Sequence, residues 1–293
     1  MSQFPEFIQT KIVSNFNETS HLNRKYIILC MCGTFNPPTA MHVYLMKIAK
    51  KYAETLGYVV LIGIFSPAHE SYNKPLITPG DVRFDFLNSF LHYEPDFSAD
   101  NFEITQQTYT RTYFYLQHIA ECVKNMKILE KSTVEIALIG GTDLFASMLK
   151  ENSWLYVPEL LSQFKSFAID RFPIPIEKGD SLIENKTISY VKIIPDLSEV
   201  SIYKFLDNHL PKSMRDNIVI IPTSFVIRHI TPLYEQVRKM YSFSSPINLI
   251  TEMSSTLVRN RFNSSQPISK LVPDEVEDYL YTNKDYFKQK WQK

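Results

Sequence analysis

The sequence is poor in cysteine and has no excess of charge of either sign. It contains three Cys among 293 residues, and its 31 Lys and Arg residues are balanced by 31 Asp and Glu residues. Few cysteines are typical of a reducing compartment, so we expect a cytoplasmic and/or nuclear protein. A net charge of zero provides no general attraction for nucleic acid or for an anionic membrane, and we therefore expect neither as a partner.

Long apolar runs and targeting signals are also missing. The sequence has no stretch of about 20 apolar residues, which a membrane-spanning helix would need. The first residues lack the charged and apolar regions of a secretory signal, and residues 1–23 are predicted to form a polar N-terminal leader. Residues 24–293 are long enough to bury the core of a single domain, and the looser pattern within 172–246 indicates an elaboration of that domain.

The cysteines of the sequence do not form a metal-binding pattern. Cys30 and Cys32 alternate along a predicted buried strand, and no cluster of His or Cys elsewhere completes a tetrahedral site. We interpret them as core sulfur, and we predict no metal site built by the protein alone.

Apolar segments alternate with amphipathic ones along most of the chain. The predicted strands are 26–32, 59–65, 102–104, 134–139, 166–170, 191–194, 218–221 and 247–250. Helical periodicity is found over 41–56, 82–90, 112–123, 198–209, 233–241 and 273–280. The alternation predicts an α/β fold, a Rossmann-like doubly wound parallel sheet with helices on both faces. Ligands bind at the carboxyl ends of the strands in such sheets, where we expect Gly33, Ser66 and Gly141 to converge.

The first predicted strand passes through a turn into a helix. Gly33 and Thr34 allow a tight turn, and the Asn-Pro-Pro stretch at 36–38 gives an extended path to Thr39, which can cap the helix. His42 then lies in the first helical turn, where unpaired N–H groups and the helix dipole favour an anion. A lone histidine at such a position is more often exposed or capping than functional.

A second helix start of this kind occurs near the end of the sequence. The stretch 253–259 reads Met-Ser-Ser-Thr-Leu-Val-Arg, and its hydroxyl residues can cap a helix. Arg259 follows Ser255 by four residues and therefore lies on the same helical face. Two such helix starts occur at opposite ends of the sequence, and each carries a side chain that can donate a hydrogen bond to a phosphate group. This combination favours a function over coincidence.

These two stretches carry a family resemblance. Residues 33–42, read as Gly-Thr-Phe-Asn-Pro-x-Thr-x-x-His, resemble the signature of the nucleotidyltransferase superfamily, whose motif is written (H/T)xGH. Met41 stands where many members carry Gly. The Asn-Pro-x-Thr-x-Met-His form is similar to that of the eukaryotic nicotinamide/nicotinate mononucleotide adenylyltransferases. Residues 253–259 are similar to their Ile-Ser-Ser-Thr-x-x-Arg motif, with Met253 in place of Ile.

The resemblance implies two groups of site residues, with His42 and Arg259 as the catalytic pair. The implied ATP-binding residues are Gly33, Thr34, Phe35, Thr39, His42, Gly141, Asp143, Ser254, Ser255, Thr256 and Arg259. The implied pyridine-nucleotide-binding residues are Ser66, Tyr72, Lys74, Tyr109, Thr110, Leu144, Trp154 and Arg171. In this interpretation Asp143 accepts ribose hydroxyls and Trp154 stacks on the pyridine ring.

Several of these residues also have ordinary structural interpretations. Asp143 could simply cap the helix that follows it, and Trp154, next to a leucine, could belong to the core. Lys74 could be solvated and Arg171 could form a surface ion pair. Residues 108–110, Thr-Tyr-Thr, resemble the Ser-Tyr-Thr element of the bacterial enzymes and depart from the animal pattern, which has a tryptophan nearby.

The reaction implied by the resemblance is adenylyl transfer from ATP to nicotinamide mononucleotide, nicotinic acid mononucleotide or both. The products are NAD or deamido-NAD and pyrophosphate. Mg²⁺ would be held mainly through the ATP phosphates. Two alternatives stay open, which are another phosphomonoester as acceptor and a nucleotide-binding protein without turnover. The sequence also leaves open the choice between amide and acid and the formation of a homo-oligomer.

Overall fold

The structure of the protein, a computed structural model, describes residues 2–19, 24–72, 76–148, 154–169 and 210–292. The chain divides into two compact units. The first comprises residues 1–138 and 253–293, and the second comprises residues 139–252.

Six strands of the described chain form a parallel sheet. They are β1 (Lys25–Gly33), β2 (Tyr58–Pro67), β3 (Phe97–Ala99), β4 (Val134–Gly141), β5 (Lys165–Ile169) and β6 (Ile218–Ile221). The strand order is β3-β2-β1-β4-β5-β6, so the winding direction reverses between β1 and β4. This order is typical of the doubly wound α/β folds, and it confirms the predicted fold class.

Twelve α-helices lie in the described segments. They are α1 (Glu6–Thr19), α2 (Ala40–Thr55), α3 (Gly80–Leu91), α4 (Thr112–Lys124), α5 (Thr142–Met148), α6 (Val157–Gln163), α7 (Lys212–Arg215), α8 (Thr223–Val237), α9 (Pro246–Glu252), α10 (Ser255–Asn263), α11 (Asp274–Thr282) and α12 (Lys284–Trp291). None of these described helices has the length and apolar character needed to cross a membrane.

The core of the first unit is built on β1 and β2. The stretch from Ile27 to Cys30 in β1 is fully buried, and every residue of β2 after Tyr58 is buried. Such unbroken apolar runs are typical of strands covered on both faces. The predicted strands at 26–32 and 59–65 are therefore confirmed, as is the helix predicted from Met41.

The stretch predicted as a polar leader contains helix α1. Ile8 and Ile12 follow each other by one helical turn and are both fully buried. Asn15 Nδ2 also donates a hydrogen bond of 2.7 Å to the Leu61 carbonyl in β2. Two apolar positions four residues apart are enough to make a buried stripe in an otherwise polar helix, and the mean polarity of residues 1–23 hides that stripe.

The predicted strand at 102–104 is wrong. The edge strand lies earlier, at Phe97–Ala99, where all three residues are buried. Residues Glu103–Thr105 form a 3₁₀ turn instead. Asp100 Oδ1 accepts the Phe102 N–H at 3.1 Å, and a contact of this type turns the chain out of the extended conformation.

The predicted strand at 247–250 is also wrong, because these residues lie in helix α9 (Pro246–Glu252). Ser245 Oγ accepts the Asn248 N–H at 3.2 Å and so caps the first turn. Three apolar side chains among four residues do not by themselves distinguish a strand from a buried helical turn.

The second unit contains β5 and β6, which pair in parallel from Ser166 opposite Ile218 to Ile169 opposite Ile221. The prediction at 218–221 is confirmed, and so is the prediction at 166–170 over its described residues. Helix α8 begins upstream of the predicted helix at 233–241, because its buried stripe includes Val226 and Ile230. The predictions at 191–194 and 198–209 lie outside the described residues.

The substitution Ile12→Ala tests whether α1 is part of the core. Because Ile12 is 0% exposed, we expect the free energy of unfolding to fall by about 2–5 kcal/mol in a urea titration. Phe7→Ala on the same helix is the control, since Phe7 is 47% exposed, and its effect should stay within about 0.5 kcal/mol. Equal effects of the two substitutions would contradict this assignment.

Candidate active site

The loop between β1 and α2 has a constrained backbone. Phe35 has a φ of 46°, a left-handed conformation that a residue with a Cβ adopts only when its surroundings hold it there. Its side chain is 2% exposed and packs edge-on against the His42 ring, with ring centroids 5.1 Å apart. The residue is thus held in place by the same helix start that the loop leads into.

His42 is oriented by the main chain of Thr39. The Thr39 N–H donates a hydrogen bond of 3.0 Å to His42 Nδ1, and the Thr39 hydroxyl lies 2.9 Å from the same nitrogen. A backbone N–H can only donate, so Nδ1 must carry its lone pair, and the ring proton is on Nε2. His42 therefore caps the helix through Nδ1, as the capping interpretation predicts, and its Nε2–H is a hydrogen-bond donor.

The carbonyl groups of the loop are bound by the helix start from the other end of the sequence. Ser255 Oγ donates to the Pro37 carbonyl at 2.7 Å, and Arg259 Nη1 donates to the Asn36 carbonyl at 2.6 Å. Ser254 caps helix α10 by accepting the Leu257 N–H at 3.2 Å. Desolvation lowers the pKa of Arg259 from its usual value. The structure thus brings together the residues of the two sequence motifs, 33–42 and 253–259.

The side chain of Asn36 ties the same loop to residues 76–78. Its Nδ2 donates to the Leu76 carbonyl at 2.8 Å, and its Oδ1 accepts the Thr78 N–H at 3.1 Å. The Thr78 hydroxyl in turn accepts the indole N–H of Trp291 at 3.2 Å. Buried polar groups that are satisfied in this way hold a single loop conformation.

The second strand exit carries a buried carboxyl group. Ser66 is fully buried, and its hydroxyl donates to Glu103 Oε1 at 3.3 Å. Burial raises the pKa of Glu103 to about 8, against the opposing effects of the Ser66 hydrogen bond and the charge of Arg83. Ser66, which the resemblance assigns to the pyridine nucleotide, is thus paired with a carboxyl group that is largely protonated at neutral pH.

Two of the residues assigned to the pyridine nucleotide contact each other. The rings of Tyr72 and Tyr109 have centroids 4.8 Å apart and an interplanar angle of 38°. The Tyr109 N–H donates to Ser71 Oγ at 2.8 Å, and desolvation raises the pKa of the Tyr109 phenol. Both rings are partly exposed, so a flat ligand ring could stack on them. Thr110 is half-buried beside them in sequence, and Lys74 lies outside the described residues.

Arg83 is a site-forming residue that sequence analysis missed. It lies in α3, is 0% exposed, and donates hydrogen bonds to the carbonyl groups of Thr34, Ala68 and Thr78. The signal was present in the sequence, because Phe86 and Leu87 are the helical neighbours of Arg83 at i+3 and i+4 and are both buried. A charged residue on an apolar helix face needs buried partners.

The second unit holds the Gly-x-Asp turn and the tryptophan. A Cβ on Gly140 would lie 2.5 Å from Leu144 Cδ2, so a side chain at this position would displace the end of the Leu144 side chain. Asp143 is in the first turn of α5, and its side chain lies outside the described part of the chain, as does all of Arg171. The Trp154 indole is half-buried and donates to Ser147 Oγ at 3.1 Å, so it is not a core residue.

The described residues lack a protein-built metal cage and a reactive thiol. No group of three or more His, Cys, Asp or Glu side chains among them could hold a metal ion. Cys30 and Cys122 are buried, Cys32 is half-buried, and all three are free thiols. Desolvation raises the pKa of each thiol, so none is a thiolate nucleophile at neutral pH.

Comparison with known proteins places the chain in a family. A cytidylyltransferase-like family model matches residues 30–261. A Caenorhabditis elegans protein named nicotinamide/nicotinic acid mononucleotide adenylyltransferase 2 is 31% identical over 157 residues, which cover 50% of this chain and 68% of that protein. The chain belongs to the mononucleotide adenylyltransferases of the cytidylyltransferase-like family. This membership confirms the resemblance carried by residues 33–42 and 253–259.

Other adenylyltransferases match over more of the chain. A relative from Arabidopsis thaliana is 25% identical over 64% of this chain and 76% of its own length. A Bos taurus relative is 24% identical over 87% of this chain and 86% of its own length. Among solved structures, Plasmodium falciparum nicotinic acid mononucleotide adenylyltransferase complexed with NaAD is similar in fold, with a TM-score of 0.55 at 15% identity, over 89% of this chain and 97% of that one.

The raised pKa of Glu103 predicts a pH dependence of stability in this adenylyltransferase. The native carboxyl keeps its proton up to about pH 8, whereas the unfolded one loses it near the ordinary glutamate pKa of 4.5. Between pH 4.5 and about pH 8 the native state therefore binds more protons than the unfolded state. The contribution of Glu103 to stability is complete below pH 4.5 and is lost as the pH rises to about 8. The expected slope is at most about 1.4 kcal/mol per pH unit.

Denaturant titrations of the wild type and of Glu103→Gln between pH 5 and pH 8 measure this effect. The glutamine keeps the size of the side chain but has no proton to lose, so the variant should lose less stability as the pH rises. Identical slopes for the two proteins would contradict the shifted pKa.

Proposed function

We propose that the protein transfers the adenylyl group of ATP to nicotinamide mononucleotide, nicotinic acid mononucleotide or both. An oxygen of the mononucleotide 5′-phosphate attacks the α-phosphorus of ATP. The bond from that phosphorus to the bridging oxygen breaks, and pyrophosphate leaves with the electron pair. The products are NAD or deamido-NAD and pyrophosphate. The observation that carries this proposal is the hydrogen bond from the Thr39 N–H to His42 Nδ1, which leaves the Nε2–H of His42 as a donor at the start of α2, beside a loop whose Asn36 carbonyl is bound by Arg259.

The attacking phosphate is already an anion, so no side chain has to be activated as a nucleophile. Catalysis then consists of holding the two substrates in line and stabilising negative charge on the phosphoryl oxygens. The site has parts suited to that work. His42 supplies a neutral N–H donor, the starts of α2 and α10 supply backbone N–H groups, and Arg259 supplies a positive charge.

Ser255 and Arg259 have a second task in this proposal. They bind the carbonyl groups of Pro37 and Asn36, which are the groups that would repel a triphosphate if they faced it. Binding these carbonyl groups turns them away from the anion and exposes the electropositive side of the peptide planes. The motif residues therefore prepare the loop as well as offering donors of their own.

The names of the relatives support a pyridine mononucleotide as the acceptor. In the first unit, the Tyr72 and Tyr109 pair offers a surface for a flat ring. In the second unit, Trp154 is held by Ser147 in a half-buried position that leaves part of its indole accessible. We assign the ribose and adenine side to the turn at Gly141 and Asp143, and the pyridine side to Leu144.

Mg²⁺ belongs to this proposal as a counterion of the triphosphate. The described residues offer no cluster of carboxylates, and a cation bound mainly by phosphate oxygens and water needs none. Two carboxyl groups at these loops already have partners, since Glu70 accepts the Gly80 N–H at 2.7 Å and Glu103 accepts the Ser66 hydroxyl. The ion would neutralise charge on the departing pyrophosphate.

Pyrophosphate release from ATP and Mg²⁺ tests the proposal. We expect release with nicotinamide mononucleotide or its acid analogue and none with phosphopantetheine as the acceptor. Release only with a different phosphomonoester would identify a related transferase. Binding of ATP without release, whatever the acceptor, would identify a nucleotide-binding protein without turnover and would overturn the proposal.

Two substitutions of His42 separate its capping role from its role in catalysis. Glutamate at the third helical position is the usual partner in a capping box, so His42→Glu should keep the melting temperature of the protein. It removes the N–H donor, as His42→Ala also does, and kcat should fall by about 10²–10³-fold in both. Substrate binding by His42→Ala should change far less, because the charge that His42 meets grows in the transition state. A rise in KM with an intact kcat would contradict this role.

A further inference from the structure

The guanidinium group of Arg83 connects two loops of the first unit, the one after β1 and the one between β2 and α3. Nη1 donates to the Thr34 carbonyl at 2.8 Å, Nη2 to the Ala68 carbonyl at 2.7 Å, and Nε to the Thr78 carbonyl at 2.7 Å. Thr34 and Ala68 directly follow β1 and β2, and Thr78 precedes α3. The two strand exits that should face the substrates are therefore held by one side chain.

The charge of Arg83 is retained although the residue is fully buried. Burial lowers its pKa to about 10, so it stays protonated at neutral pH. The carboxyl groups that favour the cation are those of Glu70, Glu103 and Asp81, and Glu103 adds its charge only as the pH rises towards its raised pKa of about 8. Within the part of the chain that the structure describes, its hydrogen-bond partners are carbonyl groups and not carboxylates. The five N–H groups of a guanidinium are spread over three nitrogens in one plane, so each nitrogen serves a different carbonyl group, whereas the three N–H groups of lysine all start from a single nitrogen.

The contact with Thr34 determines the orientation of the peptide bond to Phe35. The C=O and N–H of a trans peptide point in opposite directions, so a carbonyl that faces Arg83 turns the Phe35 N–H away from it. Phe35 is the residue with the left-handed φ of 46°, and its ring contacts His42. Arg83 thus fixes the strained residue on which the histidine ring packs.

We infer that Arg83 is a positioning residue for adenylyl transfer, which acts by fixing the loops after β1 and β2 in the conformation that presents N–H groups and His42 to the triphosphate. The inference rests on the proposed function. Arg83 touches no reacting atom in this account. It works through the carbonyl groups of Thr34, Ala68 and Thr78, and its shape matters more than its charge.

The variants Arg83→Ala and Arg83→Lys test the inference. A small misplacement of a site can cost roughly 10²-fold in rate, and we expect a kcat loss of this order in both variants. The dissociation constant of α,β-methylene ATP should change by less than about fivefold, because the lost interaction is one of alignment. Guanidinium chloride at a subdenaturing concentration should restore part of the activity of Arg83→Ala. Methylammonium chloride at the same ionic strength should not, because it has the charge without the planar fork.

Leu116→Ala is the control for a loss of stability alone. Leu116 is fully buried in α4, a helix that contains none of the three carbonyl groups, so this variant should melt at a lower temperature and keep its kcat below that temperature. A kcat at the wild-type level in Arg83→Lys would overturn the inference. Equal rescue of Arg83→Ala by the two salts would also overturn it. If Arg83→Ala does not fold, Arg83→Lys alone decides the question. A wild type without transfer activity would refute the proposed function, whereas an active wild type with unaffected Arg83 variants would refute this inference only.

Discussion

The hydrogen bond from the Thr39 N–H to His42 Nδ1 is the interaction on which the site depends. A main-chain N–H can donate a hydrogen bond but cannot accept one, so this contact selects the ring form with its proton on Nε2. The same contact caps α2, which aims further N–H groups in the direction in which the chain enters the helix. One local contact thus links the fold of a helix start to a donor suited to a phosphate group.

That contact requires a loop with a fixed path, and the path is set by groups that bind carbonyl oxygens. Ser255 and Arg259 bind the Pro37 and Asn36 carbonyl groups, and Arg83 binds that of Thr34. An anion site needs N–H groups facing the ligand and carbonyl groups facing away from it. Ser255 and Arg259 come from the end of the sequence and bind carbonyl groups of a loop near its beginning. This contact explains why both motifs are needed for one site.

Much of the fold could be predicted from the sequence, because β1 and β2 are unbroken apolar runs that only a doubly covered strand explains. The two motifs at 33–42 and 253–259 could also be predicted to share a function, because each has the sequence pattern of a helix start that suits a phosphate group. Helix α1 was missed because its buried stripe is too short to stand out, and the helix at Pro246–Glu252 was predicted as a strand because so short an apolar segment fits either structure. Arg83 and Glu103 were missed because a charged residue suggests solvent, and only the packed loops around them provide the partners that make burial tolerable.

The most direct test of this account is ¹⁵N NMR of the histidines at neutral pH, with His42 assigned by comparison with His42→Ala. We predict that His42 has its proton on Nε2 and an unprotonated Nδ1. Addition of ATP and Mg²⁺ should then shift the Nε2 signal while Nδ1 stays an acceptor. A proton on Nδ1, or a doubly protonated ring at this pH, would contradict the account, because the Thr39 N–H would then lack its acceptor.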